Sequence, residues 1–94
     1  MSVYLVTWNL NNERLNYNTA RTNFINHLEK LANIGDSGLE SARFISSTST
    51  ADQICTFLRQ KMDDNDKLIV TKLTSGTHQG WMSQKVWDWI NPKL

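Results

Sequence analysis

The stretch VYLVTWNL, residues 3–10, decides the fold of this 94-residue chain. It is rich in β-branched and aromatic residues, and its almost continuous apolar character is typical of a central strand covered on at least one face. Because it is short, lacks a basic leader and runs directly into the polar sequence NNER, we interpret it as a first strand and not as a signal peptide.

Two amphipathic helices are predicted beyond this strand. The first is capped by Asn18 or Thr19 and ends at Gly35. The second begins at an acidic variant of the capping box, formed by Ser49 and Asp52. The apolar stripes consist of Phe24, Ile25, Leu28, Leu31 and Ala32 in the first helix and of Ile54, Phe57, Leu58 and Met62 in the second.

Two later segments complete the predicted sheet. The run LESARFISS, residues 39–47, is predicted to be a strand, either bent or folded as a hairpin. The turn sequence DDND, residues 63–66, precedes a further central strand, KLIVTKL, at 67–73. The order strand, helix, strand, helix, strand predicts an α/β (α+β) fold, a ferredoxin-like split βαβ sheet that is antiparallel or mixed, with two helices on one face.

Length and composition limit the class of protein. The 94 residues fit one domain, residues 1–94, and so small a core favours a homodimer, because a second copy adds buried surface. Ten Lys and Arg against nine Asp and Glu leave a net charge of +1, too balanced for avid binding to nucleic acid or to an anionic membrane. The single Cys55 excludes a disulfide scaffold and a cysteine zinc site. No run approaches the ~20 apolar residues of a membrane span, and we predict a cytoplasmic protein.

Three short motifs occur here in the order found in a known family. The first strand ends in Trp-Asn-Leu at 8–10, Glu-Ser precedes the second strand at 40–41, and DDND precedes the next. With VYLVTWNL, LESARFI and MDDNDKLIV in this order, the chain resembles the small CRISPR-associated adaptor-nuclease family and its stand-alone, SinR-like relatives. VapD-type toxin ribonucleases share the fold. The resemblance covers residues 3–73.

The resemblance implies a homodimer in which the ends of the two first strands face each other. Each copy in that family places an Asp there, and the two carboxylates bind a divalent metal that activates water for phosphate hydrolysis. The matching position in this chain is Asn9, whose neutral amide is a weaker ligand for a hard cation. Ser41 matches the family's serine, which can contact phosphate or satisfy a local amide. We therefore predict no metal and no cofactor, with Mg²⁺ bound only if the chain is a nuclease.

Several aromatic, histidine and basic residues are candidates for nucleic-acid binding. Tyr4 and Trp8 lie on one face of the first strand and could stack on bases, although such aromatics are more often core. His78, in the glycine-bounded loop 74–80, occupies a position where functional residues are common, but an exposed histidine is usually only solvated. The candidate cations are Arg14, Arg21, Arg43, Lys67 and Lys72, which form a footprint only if the fold gathers them into one stripe.

The tryptophan-rich tail WMSQKVWDWI lies outside the resemblance and is predicted to form a C-terminal helix over residues 81–91. Trp81 and Trp89 are expected to seal the open side of the domain. Trp87 falls about 200° from Trp89 around a helix axis and would be exposed in a monomer. We predict that Trp87 contacts a second subunit or a protein partner, because Trp is enriched at interface hot spots.

Two classes of function follow. The first, favoured by Asn9 and the near-neutral charge, is a small homodimeric, non-catalytic interaction or adaptor protein derived from the CRISPR-associated adaptor-nuclease fold, acting in phage defence or counter-defence. The alternative, favoured by the motif order, is a nucleic-acid-binding dimer or a metal-dependent endoribonuclease, including the toxin type. A nuclease assay with Mg²⁺ and Mn²⁺ discriminates between them.

Overall fold

The structure, a computed structural model, describes residues 1–13 and 15–94. Four strands, three α-helices and a short 3₁₀-helix are found within them. In chain order the elements are β1 (Ser2–Asn9), α1 (Tyr17–Leu28), β2 (Ala32–Ile34), β3 (Ala42–Ser47), α2 (Ala51–Arg59), β4 (Lys67–Lys72), α3 (Gln84–Ile90) and a final 3₁₀-helix (Asn91–Lys93).

The four strands form one antiparallel sheet in the order β2-β3-β1-β4. β1 is central, as its apolar run predicts, and Thr7 lies opposite Ala42 on one neighbour and Ile69 on the other. The prediction that residues 67–73 form a second central strand is wrong, because β4 pairs only with β1 and is an edge strand. α1 connects β1 to β2 across β3, and α2 connects β3 to β4 across β1. Two interleaved β-α-β units of this kind define the ferredoxin-like α+β fold, so the predicted fold class is confirmed.

The face of the sheet that carries Tyr4, Val6 and Trp8 is covered by α1 and α2. We call this surface the helix face. Tyr4 and Trp8 are each 6% exposed, which confirms that they belong to the core and are not a stacking platform. The hydroxyl of Tyr4 donates a hydrogen bond to the carbonyl oxygen of Ser49 at 2.8 Å. The residues of α1, α2 and β3 that complete this core are Phe24, Leu28, Ile45, Ile54 and Leu58.

His27 connects the two helices on that face. Its ring is 4% exposed, and Nε2 lies 2.7 Å from the carbonyl oxygen of Phe57 on α2. The imidazole also stacks on the Phe57 ring, with the two centroids 3.9 Å apart. This buried polar side chain is therefore satisfied within the core, as buried hydrogen-bonding groups generally are.

The opposite face, which we call the second face, packs against α3. Because side chains alternate along a strand, Val3, Leu5 and Thr7 of β1 all point to this side. Val86 and Ile90 of α3 are fully buried here and pack with Val3, Phe44 and Leu73. Two helices thus cover one face and the short C-terminal helix covers part of the other, as predicted. No helix among the described residues is long and apolar enough to cross a membrane.

The first helix is shorter than its sequence pattern predicts. It begins after Asn16, not at Asn18 or Thr19, and it ends at Leu28, while residues 32–34 form the edge strand β2. Asn33 pairs with Ile45 of β3, so residues 32–47 are a hairpin. Backbone pairing with β3 outweighs the helical spacing of the apolar residues in this segment, although Leu31 still packs against the core.

The second helix begins one residue later than predicted. Its N-cap is Thr50, whose hydroxyl oxygen accepts a hydrogen bond from the Gln53 backbone N–H at 3.1 Å. The Gln53 side chain returns a bond by accepting from the Thr50 N–H at 2.9 Å. The capping box therefore forms between Thr50 and Gln53 and not between Ser49 and Asp52, and Gln53 is one of the residues preferred at its third helical position. The helix ends at Arg59, and Met62 packs against the core from beyond it.

The tail also differs from the prediction. The helix covers residues 84–90, and Trp81 lies before it with its side chain 100% exposed, so Trp81 does not seal the domain. Trp89 does pack against the core of the second face, as expected. Asp36 in the β2–β3 loop accepts a hydrogen bond from the Ser83 N–H at 2.7 Å. That contact sets where the helix starts, because Ser83 is its N-cap residue.

Candidate functional site

The end of β1, where the resemblance implies a metal-binding Asp, is an amide-rich surface. Asn9 is exposed and lies directly opposite Lys67 of β4, so both side chains belong to the second face. A neighbouring polar cavity of about 460 Å³ contains a single carboxylate, that of Glu13. Its lining consists of Asn9, Leu10, Asn11, Asn12, Glu13 and Asn65. Neutral amides and a nearby ammonium group are a poor environment for a hard divalent cation.

The DDND segment is a helix-to-strand turn, as predicted, and Asp66 holds it. One oxygen of the Asp66 carboxylate accepts from the Asn11 N–H at 2.7 Å, and the other accepts from the Asp63 N–H at 2.9 Å. The side chain is 7% exposed. Both oxygens thus bind backbone groups, which connects the loop after β1 to the turn before β4. Within the described residues, no group of three or more His, Cys, Asp or Glu side chains is placed to hold a metal ion.

Ser41 lies at the same end of the sheet as Asn9, one strand away. Its carbonyl oxygen accepts from the Trp8 N–H at 3.1 Å and from the Thr7 hydroxyl at 2.9 Å. Its backbone therefore holds the start of β3 against β1, and its own side chain is exposed.

The predicted cations are distributed over different surfaces. Arg21 and Arg43 line one cavity of about 370 Å³, together with Lys85 of α3, near the β2–β3 loop. The Arg43 guanidinium is paired with Glu29 at 3.1 Å. It also donates to the side chain of Asn33 at 2.9 Å. Acidic side chains, Asp36 and Glu40, share the lining of this cavity.

The two lysines lie elsewhere. Lys67 and Lys72 are on β4, at the other edge of the sheet, and they point to opposite faces because they are five residues apart. β1 lies between β4 and β3, the strand that carries Arg43, so β3 and β4 are about 10 Å apart. Arg14 lies outside the described residues. The four described cations therefore do not form one stripe.

Asp36 in the β2–β3 loop is a carboxylate whose pKa is lowered by its surroundings. Hydrogen bonds from the backbone N–H groups of Ser83 and Gly38 hold its pKa below the ordinary 3.8, and the positive charge of Lys85 acts in the same direction. Both bonds stabilise the ionised form. The role of Asp36 is to hold the loop and α3 together and not to exchange protons near neutral pH.

The second face of the sheet carries a surface that the sequence did not predict. α3 covers one part of this face and leaves an apolar part open next to it. Three large side chains here are strongly exposed: Trp81 at 100%, Ile69 at 60% and Leu39 at 43%. A groove of about 390 Å³ lies between the sheet and the loop before α3. We call this surface the open face. It is formed by Leu5, Thr7, Leu39, Ile69, Trp81 and Trp87.

Trp87 lines this groove but is less exposed than predicted. The ring of His78 stacks against it, with centroids 6.3 Å apart and planes 14° from parallel. His78 is itself held by the carbonyl oxygen of Thr74, 3.1 Å from Nδ1. The loop between β4 and α3 thus folds back over the indole and leaves Trp81 as the exposed tryptophan. Helical spacing predicts the orientation of Trp87 but carries no information about a loop that returns to cover it.

Comparison with known proteins gives no match to a family model, a curated protein or a solved structure.

Proposed function

We propose that this protein is a small homodimeric, non-catalytic interaction module, which acts in the cytoplasm as an adaptor and docks a protein partner on the open face. By its resemblance, we place its ancestry in the CRISPR-associated adaptor-nuclease fold and its role in phage defence or counter-defence. The observation that carries the proposal is the fully exposed Trp81 at the lip of the apolar groove.

The energetics of the open face support binding. Covering a whole tryptophan side chain removes about 150–250 Å² from water. At about 25 cal/mol per Å² this contributes roughly 4–6 kcal/mol before the cost of ordering the partners. Contiguous exposed apolar side chains with a polar rim are typical of interaction surfaces. The rim here consists of Asn9, Ser41 and Lys67, which lie at the end of the sheet next to Thr7.

Three features of the described residues support a non-catalytic role. Asn9 offers an amide where the family has a carboxylate, and Asp66, the buried carboxylate nearby, is hydrogen-bonded to two backbone N–H groups. The described cations are too dispersed to hold a nucleic-acid backbone in one groove. Any binding to RNA or DNA is expected to be weak and to fall with salt.

The first test is binding. Immobilised wild-type protein and the variants Trp81→Ala and Leu15→Ala are compared for retention of a protein from a lysate of the source organism, and any candidate is then titrated in purified form. Leu15 is the matched control, because it is equally exposed at 107% but lies outside the open face. We expect a partner that binds wild type and Leu15→Ala and loses at least about tenfold in affinity with Trp81→Ala, as for a hot-spot residue.

The second test is catalysis. Purified protein is incubated with RNA and DNA in Mg²⁺ or Mn²⁺, with and without a chelator. We expect no chelator-sensitive cleavage. Turnover that survives purification and is abolished by Asn9→Ala would replace the proposal with the endoribonuclease alternative.

A further inference from the structure

β4 (Lys67–Lys72) is an edge strand whose protecting charges are confined to the lysines at its two ends. Its register with β1 is regular over six residue pairs, without a bulge, and it contains no proline. Between its two terminal lysines, residues 68–71 are uncharged. The other edge, β2, is only three residues long. Long, regular and uncharged edges are templates for pairing with another strand.

The direction of the free backbone groups on β4 follows from its pairing with β1. The Leu73 N–H donates to the Val3 carbonyl at 2.8 Å, so the backbone groups of residues 67, 69, 71 and 73 face β1. The N–H and C=O groups of Leu68, Val70 and Lys72 therefore point to the open edge. Ile69, with its side chain 60% exposed, lies in the middle of the strand on the second face.

We infer that the free edge of β4 pairs with β4 of a second copy of this chain, antiparallel and centred on Val70, to form one continuous eight-stranded sheet. The inference rests on the proposed homodimeric function and identifies how the two copies meet. In this register the outward groups of Leu68, Val70 and Lys72 make about six hydrogen bonds with those of the second copy.

The side chains and charges of β4 are complementary to themselves in this arrangement. Val70 lies opposite its own copy on the helix face, and Ile69 lies opposite Thr71 of the second copy on the second face. Cross-strand β-branched pairs stabilise a sheet. Each Lys72 lies opposite Leu68, whereas a parallel pairing in register would place like charges side by side. Charge therefore favours the antiparallel second copy over a parallel one.

The arrangement has a consequence for the proposed function. The two-fold axis is perpendicular to the sheet, so the second faces of both copies are on the same side. The dimer then presents two open faces, with Ile69 of each copy beside the axis, and can bind a symmetric or repetitive protein partner bivalently. It differs from the dimer that the resemblance implies, in which the ends of the first strands face each other.

The test uses the full chain and compares Lys72→Pro with Lys72→Ala in light scattering at micromolar concentrations. Both variants lose the same charge, but only proline removes the outward N–H, and an edge position tolerates proline. We expect wild type and Lys72→Ala to have twice the monomer mass of 10.9 kDa and Lys72→Pro to have the monomer mass. A circular dichroism spectrum and a cooperative melt check that Lys72→Pro is folded.

Disulfide trapping provides a second measurement that does not depend on proline. Ile69→Cys and Thr71→Cys are made separately in a Cys55→Ser background and mixed under mild oxidation. The two positions form a non-hydrogen-bonded pair with Cα atoms about 4.5 Å apart, within disulfide range, whereas either variant alone brings its cysteines only diagonally together. We expect the mixed disulfide to form at least about tenfold faster than either homodisulfide.

The outcomes separate the two proposals. A stable dimer that Lys72→Pro leaves intact, without preferential mixed disulfide, overturns the edge pairing and leaves the homodimeric module standing. A wild-type protein that has the monomer mass at every concentration overturns both the homodimer and the edge pairing. Both proposals are supported if Trp81→Ala loses partner binding and the Ile69→Cys and Thr71→Cys variants still form the mixed disulfide when Trp81→Ala is added to each.

Discussion

The carboxylate of Asp66 connects two loops that are far apart in the chain, since its partner Asn11 is 55 residues away. Its sequence context, DDND, resembles a metal-binding cluster only in composition. In the folded chain the short side chains cap neighbouring backbone groups, as when Asp63 accepts from the Asn65 N–H at 2.9 Å. Buried carboxylates that accept backbone hydrogen bonds in this way stabilise loops and are not available to a ligand.

At the same scale, Asp66→Ala is expected to lower the free energy of unfolding by about 3 kcal/mol. The substitution removes two hydrogen bonds to the buried carboxylate, from the N–H groups of Asn11 and Asp63, and a hydrogen bond to a charged group contributes about 1.5–3 kcal/mol. Urea denaturation at pH 7 measures the change. Asp64→Ala is the control, because Asp64 is exposed in the same turn and its removal should change stability by less than about 0.5 kcal/mol. Equal effects of the two variants would contradict the role of Asp66.

Among the elements, α3 depends most on tertiary contacts. It has seven residues, too few for a helix to be stable alone in water. It is held in place by the burial of Val86 and Ile90 and the packing of Trp89 on the second face, and by the hydrogen bond from its N-cap residue Ser83 to Asp36. The open face depends on the same docking, because Trp87 lines the groove from this helix.

The Asp36→Ala substitution is therefore expected to loosen α3 selectively. Amide hydrogen exchange of Val86 and Ile90 should become faster, while exchange in α1 and α2 is unchanged. Ser37→Ala, an exposed change in the same loop, is the control. A uniform increase in exchange across all helices would show that Asp36 supports the whole fold.

The pH dependence of this docking follows from the lowered pKa of Asp36. A carboxylate whose folded-state pKa lies below the unfolded value of 3.8 contributes stability that is present above pH 3.8. That contribution is lost as the pH falls through the folded-state pKa. The protection of the α3 amides in the wild-type protein should thus decrease below about pH 3.8 towards that of Asp36→Ala, whose protection should lack this step.

For the whole molecule, the two sides of the sheet have different roles. The helix face is closed by α1 and α2 around a core in which Val6, Phe24 and Leu58 are completely buried. The second face is closed by α3 in one part only. A small domain with an open apolar region and an edge strand that is uncharged between its terminal lysines has surface left for partners. This is the physical basis of both the proposed docking and the proposed edge pairing.

This division predicts that two tryptophan substitutions change the free energy of unfolding by very different amounts. Trp81→Ala should change the free energy of unfolding by less than about 0.5 kcal/mol, because its side chain makes no core contact. Trp89→Ala should lower it by about 2 kcal/mol, because Trp89 is partly buried against the core of the second face. Denaturation of both variants at one fixed protein concentration measures the difference. A large loss with Trp81→Ala would mean that Trp81 is part of the fold.

The sequence by itself determined the elements whose signals are local. The apolar run at 3–10 predicted the central strand, Tyr4 and Trp8 were assigned to the core, and DDND was correctly assigned to a turn. The spacing of apolar residues indicates which side chains are buried, and a turn sequence indicates its own backbone conformation. Neither signal depends on a distant part of the chain.

Only the tertiary structure decided the features that depend on contacts between distant segments. Residues 32–34 are a strand because β3 offers backbone hydrogen bonds, and Trp81 is exposed because the loop that carries it covers Trp87 instead. The cations and Asn9 have defined neighbours only once the strand order is known. Strand pairing and loop placement are set by long-range hydrogen bonds and packing, whose free energy does not appear in the spacing of residues along the chain.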